Sequence, residues 1–248
     1  MKGGAMALVR EFDQQGNWLF RWRSYLPFIL LIPLAPALRS FQYPLGDHFF
    51  QELWELVCVP VSLLGLAIRA AAVGAAAPNT SGRNTHGQVA DAINTTGIYS
   101  VVRHPLYLGN FLMWLGIVLF CRDWWFAAVY TLAFYLYYER IMMAEENYLQ
   151  GKFGDDFSKW AAATPAFVPR LTQWRRSDRA FSWKKVLRQE YTGFFGVTSA
   201  FFLLELSEHL IVERRFEVEP LWGIVGLAGL AVYLTLRTLK KHTNLLTA

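Results

Sequence analysis

Long apolar runs separated by short polar segments make up most of this chain. A helix needs about 20 apolar residues to cross the hydrocarbon core of a bilayer, and six runs come close to that length. The six runs are residues 25–41, 54–77, 105–120, 124–142, 193–212 and 221–239. This pattern predicts an all-α fold, in the form of a polytopic integral membrane helical bundle with about six transmembrane helices.

The segments that join the runs predict how neighbouring helices pair. Pro27, Pro33 and Pro36 interrupt the first run, so we expect that run to be kinked or partly re-entrant. Only residues 121–123 separate the third run from the fourth, which requires a tight antiparallel helical hairpin. The charged segment 213–219 is expected to make the turn between the fifth and sixth runs.

Two longer polar segments, residues 78–104 and 143–192, lie between the runs. The first is rich in turn-forming residues. The second begins with apolar residues at helical spacing, which are Tyr148, Leu149, Phe153, Phe157 and Trp160. Such a helix is expected to lie along the cytosolic membrane interface, and Pro165 and Pro169 are expected to end it.

Composition and charge agree with a membrane protein. Hydrophobic residues make up 54% of the chain and charged residues 17%, a combination that is unusual for soluble domains. The net charge of +5 could indicate a nucleic-acid partner, but the basic residues cluster between apolar runs and form no nucleic-acid-binding motif. A membrane surface rich in anionic lipid is the better partner, while the oligomeric state stays open.

Lysine and arginine residues are distributed unevenly across the predicted topology. If the N-terminus is cytosolic, nineteen of them lie on the cytosolic side and four on the other side, which is a strong positive-inside bias. Both termini and the two longer polar segments are therefore predicted to be cytosolic, in a bacterial inner membrane or an endomembrane. Residues 1–24 show no signal-peptide pattern and are expected to form a polar, basic tail.

The cysteines and the polar residues of the fifth run predict no metal site. Cys58 and Cys121 share no CxxC spacing, so we expect two buried free thiols. Glu205, Glu208 and His209 lie toward the non-cytosolic end of the fifth run. We interpret them as an interhelical pair or as membrane-interface residues.

Two polar motifs at the ends of the runs are candidates for chemistry. Arg103-His104-Pro105 stands before the third run, where proline suits the first helical position. The free N–H groups of that turn and a guanidinium would form a carboxylate site, or the two basic residues could simply mark the interface. Glu145-Glu146 opens the predicted interfacial helix, where it could complement the helix dipole or hold a ribose diol or an amino group.

Both motifs belong to longer patterns that resemble one family. The first is Gly97-x-Tyr99-x-x-x-Arg103-His104-Pro105-x-Tyr107-x-Gly109, and the second is Glu145-Glu146-x-x-Leu149-x-x-x-Phe153-Gly154 followed by Thr164-Pro165-x-Phe167-x-Pro169. Together they resemble the signature of the isoprenylcysteine carboxyl methyltransferase and phospholipid methyltransferase family. The resemblance covers about 80–170 and extends back to 54. Ile98 departs from it, because the family usually has proline there.

The resemblance implies a cofactor, S-adenosylmethionine, and a role for each motif residue. Arg103 and His104 would bind the amino-acid end or the adenine side of the cofactor. Glu145 and Glu146 would take its ribose or amino group. Tyr99 could stack on the adenine or the sulfonium, because aromatic faces attract cations. The close packing of the third helix against the cofactor would depend on two further residues, Tyr107 and Gly109.

The candidate residues for binding the methyl acceptor are polar and lie upstream of the first motif. Arg83, Asn84, Thr85 and His86 suit an anionic headgroup, although they could also be loop residues that contact lipid. Arg69 lies within the second run, where a charge usually faces the protein interior, so it is a second candidate anion contact. The predicted catalytic residues are Arg69, Arg83, His86 and Glu145.

The function these features predict is methyl transfer from S-adenosylmethionine to a membrane lipid or lipid-linked acceptor at the cytosolic face. An anionic oxygen, a carboxylate or a phosphate, needs no general base, whereas an amine would need one, with Glu145 or His104 nearest to that task. Two alternatives are a membrane sterol-type reductase using NADPH and a non-catalytic membrane scaffold. Three segments are expected: 1–53 with the tail and first span, 54–170 as the methyltransferase core, and 171–248 as an extension with two further spans.

Overall fold

The computed structural model describes residues 2–23, 25, 28–29, 31–78, 80 and 88–246. This part of the chain is all-α, and its one β pairing is an isolated bridge between Gly97 and Arg175. The α-helices are α1 (Lys2–Trp22), α2 (Leu31–Arg39), α3 (His48–Ala75), α4 (Pro105–Phe120), α5 (Trp124–Phe153), α6 (Asp155–Ala163), α7 (Trp183–Glu208) and α8 (Pro220–His242). A π-helical turn, His209–Glu213, continues α7.

Three helices in the described part are long and apolar enough to cross a membrane: α3, α7 together with its π turn, and α8. The expectation of about six spans is therefore not confirmed. In the first apolar run, α2 has only nine residues and spans about 14 Å at 1.5 Å per residue. Helix α4 is apolar but has 16 residues, and α5 is not among the three helices.

The predicted turns between helices are confirmed. Helix α4 ends at Phe120 and α5 begins at Trp124, so residues 121–123 make the tight connection of a helical hairpin. Arg122 has a φ of 54° there, a left-handed backbone conformation that reverses the chain in a short distance. The charged segment before Pro220 likewise connects α7 to α8.

In place of the predicted interfacial helix, the structure has the last part of α5 and the short helix α6. Helix α5 continues without a break to Phe153, so Glu145 and Glu146 lie far inside it and not in the first turn of a separate helix. The dipole explanation for the two carboxylates is therefore wrong. The helix stops where Gly154 adopts a φ of 54°, and the short helix α6 then ends before Pro165, as predicted.

Residues of the predicted N-terminal tail form helix α1, which packs along α5. Gly16 is so close to α5 that a Cβ on it would lie 2.1 Å from the carbonyl oxygen of Arg140. The Arg140 guanidinium donates to Gln15 at 2.7 Å, and the Tyr137 hydroxyl donates to the Leu19 carbonyl at 3.2 Å. The tail is thus part of the folded bundle.

Helices α3 and α7 run antiparallel, and their two ends carry different polar groups. At one end Arg69 of α3 contacts Glu190 of α7 at 2.7 Å. At the other end His48 of α3 contacts Glu208 of α7 at 3.3 Å. The hydrophobic core between these ends includes Cys58, which is buried and free like Cys121, as the sequence predicts.

Candidate functional site

The segment before α4 is held in place by backbone hydrogen bonds to the segment after α6. The amide of Arg103 donates to the Pro165 carbonyl at 2.9 Å, and the amide of His104 donates to the Ala166 carbonyl at 3.2 Å. The amide of Gly97, at a φ of 61° that favours glycine, donates to the Arg175 carbonyl at 3.0 Å. The two halves of the recognised pattern therefore form one local structure.

Arg103, His104, Glu145 and Glu146 form one ion-pair network. The Arg103 Nε lies 3.0 Å from Oε1 of Glu146, and the His104 Nε2 lies 2.8 Å from the same oxygen. The other ring nitrogen of His104 is 3.6 Å from Glu145 Oε2. The α4–α5 hairpin thus returns the two glutamates to the start of α4, as predicted.

The charges within this network reinforce one another. Burial alone would lower the pKa of His104, but the hydrogen bonds and charges of Glu145 and Glu146 outweigh it and raise that pKa above its ordinary value. Burial alone would raise the pKa of Glu145, yet the hydrogen bond and charge of His104 bring that pKa below its ordinary value. The positive form of His104 and the negative form of Glu145 thus stabilise each other.

The network lines a cavity of about 810 Å³ between the helices at one end of the bundle. This volume lies within the range of about 300–1,000 Å³ that small-molecule sites occupy. The predicted site residues that line it are Arg69, Tyr99, Arg103, His104, Tyr107, Glu145 and Glu146. Gly109 does not line it, because it faces α3, where an added Cβ would lie 2.7 Å from the Gly65 carbonyl oxygen.

Arg69 reaches the cavity but already has protein partners. Its guanidinium contacts both carboxylate oxygens of Glu190, at 2.7 and 2.8 Å, and donates to the Asn110 side chain at 2.6 Å. Such a bidentate pair is strong and directional. The other predicted acceptor residues, Arg83, Asn84, Thr85 and His86, lie outside the described residues.

Aromatic side chains form much of the wall beside the charged network. Tyr99 is buried, and burial raises its pKa; the Trp160 indole donates to its carbonyl at 3.2 Å. Tyr107 stacks on the His104 ring with centroids 5.7 Å apart, and its ring centroid lies 4.9 Å from that of Tyr138. A ligand in this cavity would meet carboxylates and ring faces on adjacent walls.

Several lining residues come from segments that sequence reasoning did not connect with the site. Phe20 and Arg23 at the end of α1, Trp160 of α6, and Glu190 of α7 all line the cavity. Glu190 could have been identified from the sequence, because it is an acidic residue at the edge of an apolar run and its charge is opposite to that of Arg69. Nothing in the sequence of α1 indicates that its end reaches the same space.

The lining residues fit the cofactor that the motifs imply. S-adenosylmethionine carries an ammonium, a carboxylate, a ribose diol, a sulfonium and a flat base. Glu145 and Glu146 suit the ammonium or the diol, Arg103 suits the carboxylate, and the Tyr99 ring can pack against a cation or a base. The cavity wall thus offers carboxylates, a guanidinium and an aromatic ring, which suit these groups.

Comparisons with known proteins support the family that the motifs predict. Residues 54–156 match the family model described as phospholipid methyltransferase. This segment contains α4, most of α3 and all of α5. No solved structure matches the chain.

Three curated relatives align with parts of the chain. The nickel-cobalt-cadmium resistance protein NccN of Alcaligenes xylosoxydans xylosoxydans is 33% identical over 127 residues, 50% of this chain and 59% of that protein. The cobalt-zinc-cadmium resistance protein CzcN of Cupriavidus metallidurans is 38% identical over 89 residues, covering 36% and 41%. The protein-S-isoprenylcysteine O-methyltransferase of Schizosaccharomyces pombe is 30% identical over 77 residues, covering 31% and 33%. The chain thus spans less than two thirds of each relative.

Proposed function

Because residues 54–156 carry the phospholipid methyltransferase family pattern, we propose that this protein is an integral-membrane methyltransferase. It transfers a methyl group from S-adenosylmethionine to a membrane lipid or lipid-linked acceptor. The observation that carries the proposal is the network of Arg103, His104, Glu145 and Glu146 on the wall of a ligand-sized cavity. Sequence positions some forty residues apart converge there, as a binding site requires.

The bound cofactor supplies a methyl group that its sulfonium already activates. The residues of this chain then have to hold both reactants in line and keep water out, and such positioning can lower a barrier by several kcal/mol. Glu145 and Glu146 hold the ammonium or ribose, and Arg103 holds the carboxylate. His104 keeps the two glutamates in position through its two ring nitrogens, so it is a positioning residue in this arrangement.

An oxygen acceptor fits the site better than an amine. Two observations support this: Arg69 would contact an anionic carboxylate or phosphate, and the name of the Schizosaccharomyces pombe relative specifies O-methylation of an isoprenylcysteine. In the structure the Arg69 guanidinium is already paired with Glu190. An anionic acceptor would therefore bind by replacing the Glu190 carboxylate as the partner of Arg69.

Replacing Glu190 with glutamine tests the charge of the acceptor. Glu190→Gln keeps a hydrogen-bond acceptor beside Arg69 but removes the competing charge, so KM for an anionic lipid should fall several-fold while kcat changes little. The measurement is steady-state kinetics with one anionic and one zwitterionic lipid in mixed micelles. The matched control is Glu217→Gln, which removes a carboxylate from an exposed position and should leave KM unchanged. A rise in KM for the anionic lipid alone would contradict an anionic acceptor.

The topology that we propose follows from the charge distribution along the chain. The cavity end of the bundle is cytosolic, and both termini lie on that side, where the methyl donor is. Residues 54–170 form the catalytic core, and the extension 171–248 contributes a cavity wall through Glu190 and Gly193 of α7.

Ligand binding separates the proposed enzyme from its two alternatives. S-adenosylhomocysteine should raise the thermal unfolding temperature of the purified protein, and NADPH should not, because only the first carries an ammonium and a carboxylate for Glu145 and Arg103. The opposite pattern would favour a reductase. Incubation with methyl-labelled cofactor and a total lipid extract should then yield a lipid that is heavier by one methylene, whereas binding without turnover would indicate a scaffold.

A further inference from the structure

A second cluster of polar side chains lies at the other end of the α3–α7 pair. It consists of His48 at the start of α3, Glu205 and Glu208 near the end of α7, and His209 in the π turn. One nitrogen or oxygen from each residue lies within 4.8 Å of the others. The side chains of Glu208, Glu205 and His209 are only 0%, 2% and 8% exposed.

The polar atoms of this cluster face one another without forming hydrogen bonds. Both oxygens of Glu205, both oxygens of Glu208, Nε2 of His48 and both ring nitrogens of His209 are buried and have no hydrogen-bond partner in the described part of the chain. The contacts between them are 3.3 Å for His48–Glu208, 3.4 Å for His209–Glu205 and 3.8 Å for His48–Glu205. These lengths exceed the usual 2.7–3.2 Å of an N–H···O bond.

The same distances suit four ligands around one metal ion. Zinc binds imidazole nitrogen and carboxylate oxygen at about 2.0–2.2 Å, so neighbouring ligand atoms of a tetrahedral site lie about 3.4 Å apart. Three of the six distances between these ligand atoms, 3.3, 3.4 and 3.8 Å, are close to this edge length, and all of them are within 4.8 Å. Two nitrogens and two oxygens form a donor set for a transition metal, whereas Ca²⁺ and Mg²⁺ favour oxygen alone.

The outer ring nitrogens of both histidines face further carboxylates. His48 Nδ1 lies 3.3 Å from Glu52, and His209 Nδ1 lies 3.4 Å from Glu213. Histidines that bind metals almost always direct their second nitrogen to a carboxylate, a carbonyl or a water, which fixes the ring orientation. This arrangement gives each histidine a carboxylate on the side that faces away from the cluster.

The negative charge of the cluster also favours a bound cation. The oppositely charged contacts of Glu205 and Glu208 within 4 Å, among the described residues, are to histidine nitrogens, and the carboxyls of Glu55 and Glu219 add further acidic groups beside Glu205. Leaving a carboxylate buried without a counter-charge is very unfavourable. A divalent ion bound by the two glutamates and two histidines would balance both negative charges.

We propose that His48, Glu205, Glu208 and His209 bind one divalent transition-metal ion of the Zn²⁺ or Co²⁺ type. His48 and Arg69 are 21 residues apart on the same helix, so the cluster lies about 32 Å along α3 from Arg69 at 1.5 Å per residue. It therefore belongs to the opposite membrane side and is separate from the cofactor site. The sequence predicts only an interhelical pair here, because His48 precedes the predicted second span and joins the cluster only in the folded bundle.

Metal titration of the purified full-length protein tests the proposal without any assay of activity. After treatment with a chelator, the protein should bind one Co²⁺ per chain with the visible absorption of tetrahedral cobalt, and Zn²⁺ should displace it. Glu208→Gln and His209→Ala should each weaken binding at least 100-fold, because loss of an outer-sphere partner alone costs about 10- to 100-fold. Zn²⁺ should raise the unfolding temperature of the wild type and of neither variant.

Matched exposed residues provide the controls. Glu217→Gln and His242→Ala change the same residue types outside the cluster, where both side chains are exposed, and they should bind cobalt like the wild type. Absence of saturable binding in the wild type would overturn the proposal and leave protonated carboxylates as the account of the cluster. Equal affinity in the wild type and both cluster variants would overturn it too, by showing that the metal binds elsewhere. Glu208→Gln preserves side-chain shape, so it is expected to fold.

Discussion

Glu145→Gln should weaken the binding of S-adenosylhomocysteine by between about 10- and 150-fold while the protein remains folded. The substitution removes one carboxylate charge from the network that His104 joins at 3.6 Å, and a hydrogen bond to a charged group contributes about 1.5–3 kcal/mol. A tenfold change in affinity corresponds to about 1.4 kcal/mol. Calorimetric titration of the detergent-solubilised protein gives the dissociation constant directly.

Helix α5 offers a matched control for this substitution. Glu139→Gln lies on the same helix and outside the cavity lining, so its affinity should equal that of the wild type. Arg103→Ala should also lose binding. Because Arg103 additionally donates to the Ala161 carbonyl at 2.6 Å, the unfolding temperature of this variant must be compared with that of the wild type. Wild-type affinity in both Glu145→Gln and Arg103→Ala would mean that the cofactor binds elsewhere.

The core of the candidate site could be predicted because its information is local in the sequence. Two short patterns fix the residue types, and the three-residue turn after α4 requires α5 to run back alongside it. Since both helices of the hairpin rise 1.5 Å per residue, Glu145 and Glu146 had to return to the same end of the hairpin as His104. The structure shows this contact at 2.8 Å between His104 and Glu146.

The number of spans was harder to predict, because hydropathy measures composition and not helix continuity. In the first apolar run, the helix found among the described residues is only Leu31–Arg39, and Pro36 lies inside it. Conversely, α5 joins a predicted span and part of the predicted interfacial helix into one element of 30 residues. Polar residues near this junction have protein partners, as Arg140 has Gln15. No local sequence signal distinguishes one continuous helix from two.

The pairing of residues from distant segments could not be predicted from local patterns. Arg69 and Glu190 are 121 positions apart and meet at 2.7 Å. His48 and Glu208 are farther apart still and meet at the opposite end of the same two helices. Each residue alone fits an interface position, and only the antiparallel packing of α3 on α7 separates the molecule into two polar ends.

The packing of α3 on α4 should be sensitive to added side-chain volume. A Cβ on Gly65 would lie 2.5 Å from both the Gly109 carbonyl oxygen and the Met113 amide nitrogen. Both are backbone atoms, so the helices would have to separate, and overpacking typically destabilises by about 1–3 kcal/mol or more. Close approach at small residues is also how helices associate in membranes.

Gly65→Ala should therefore lower the unfolding temperature, whereas Gly151→Ala should hold or raise it. Gly151 lies in α5, where an added Cβ meets nothing within 4 Å, and replacing a helical glycine by alanine stabilises by about 0.5–1 kcal/mol. Thermal unfolding in one detergent gives both values. Because Arg69 follows Gly65 by one helical turn and lines the cavity, Gly65→Ala should weaken ligand binding as well. An unchanged unfolding temperature in Gly65→Ala would show that the α3–α4 crossing tolerates separation and does not set the cavity.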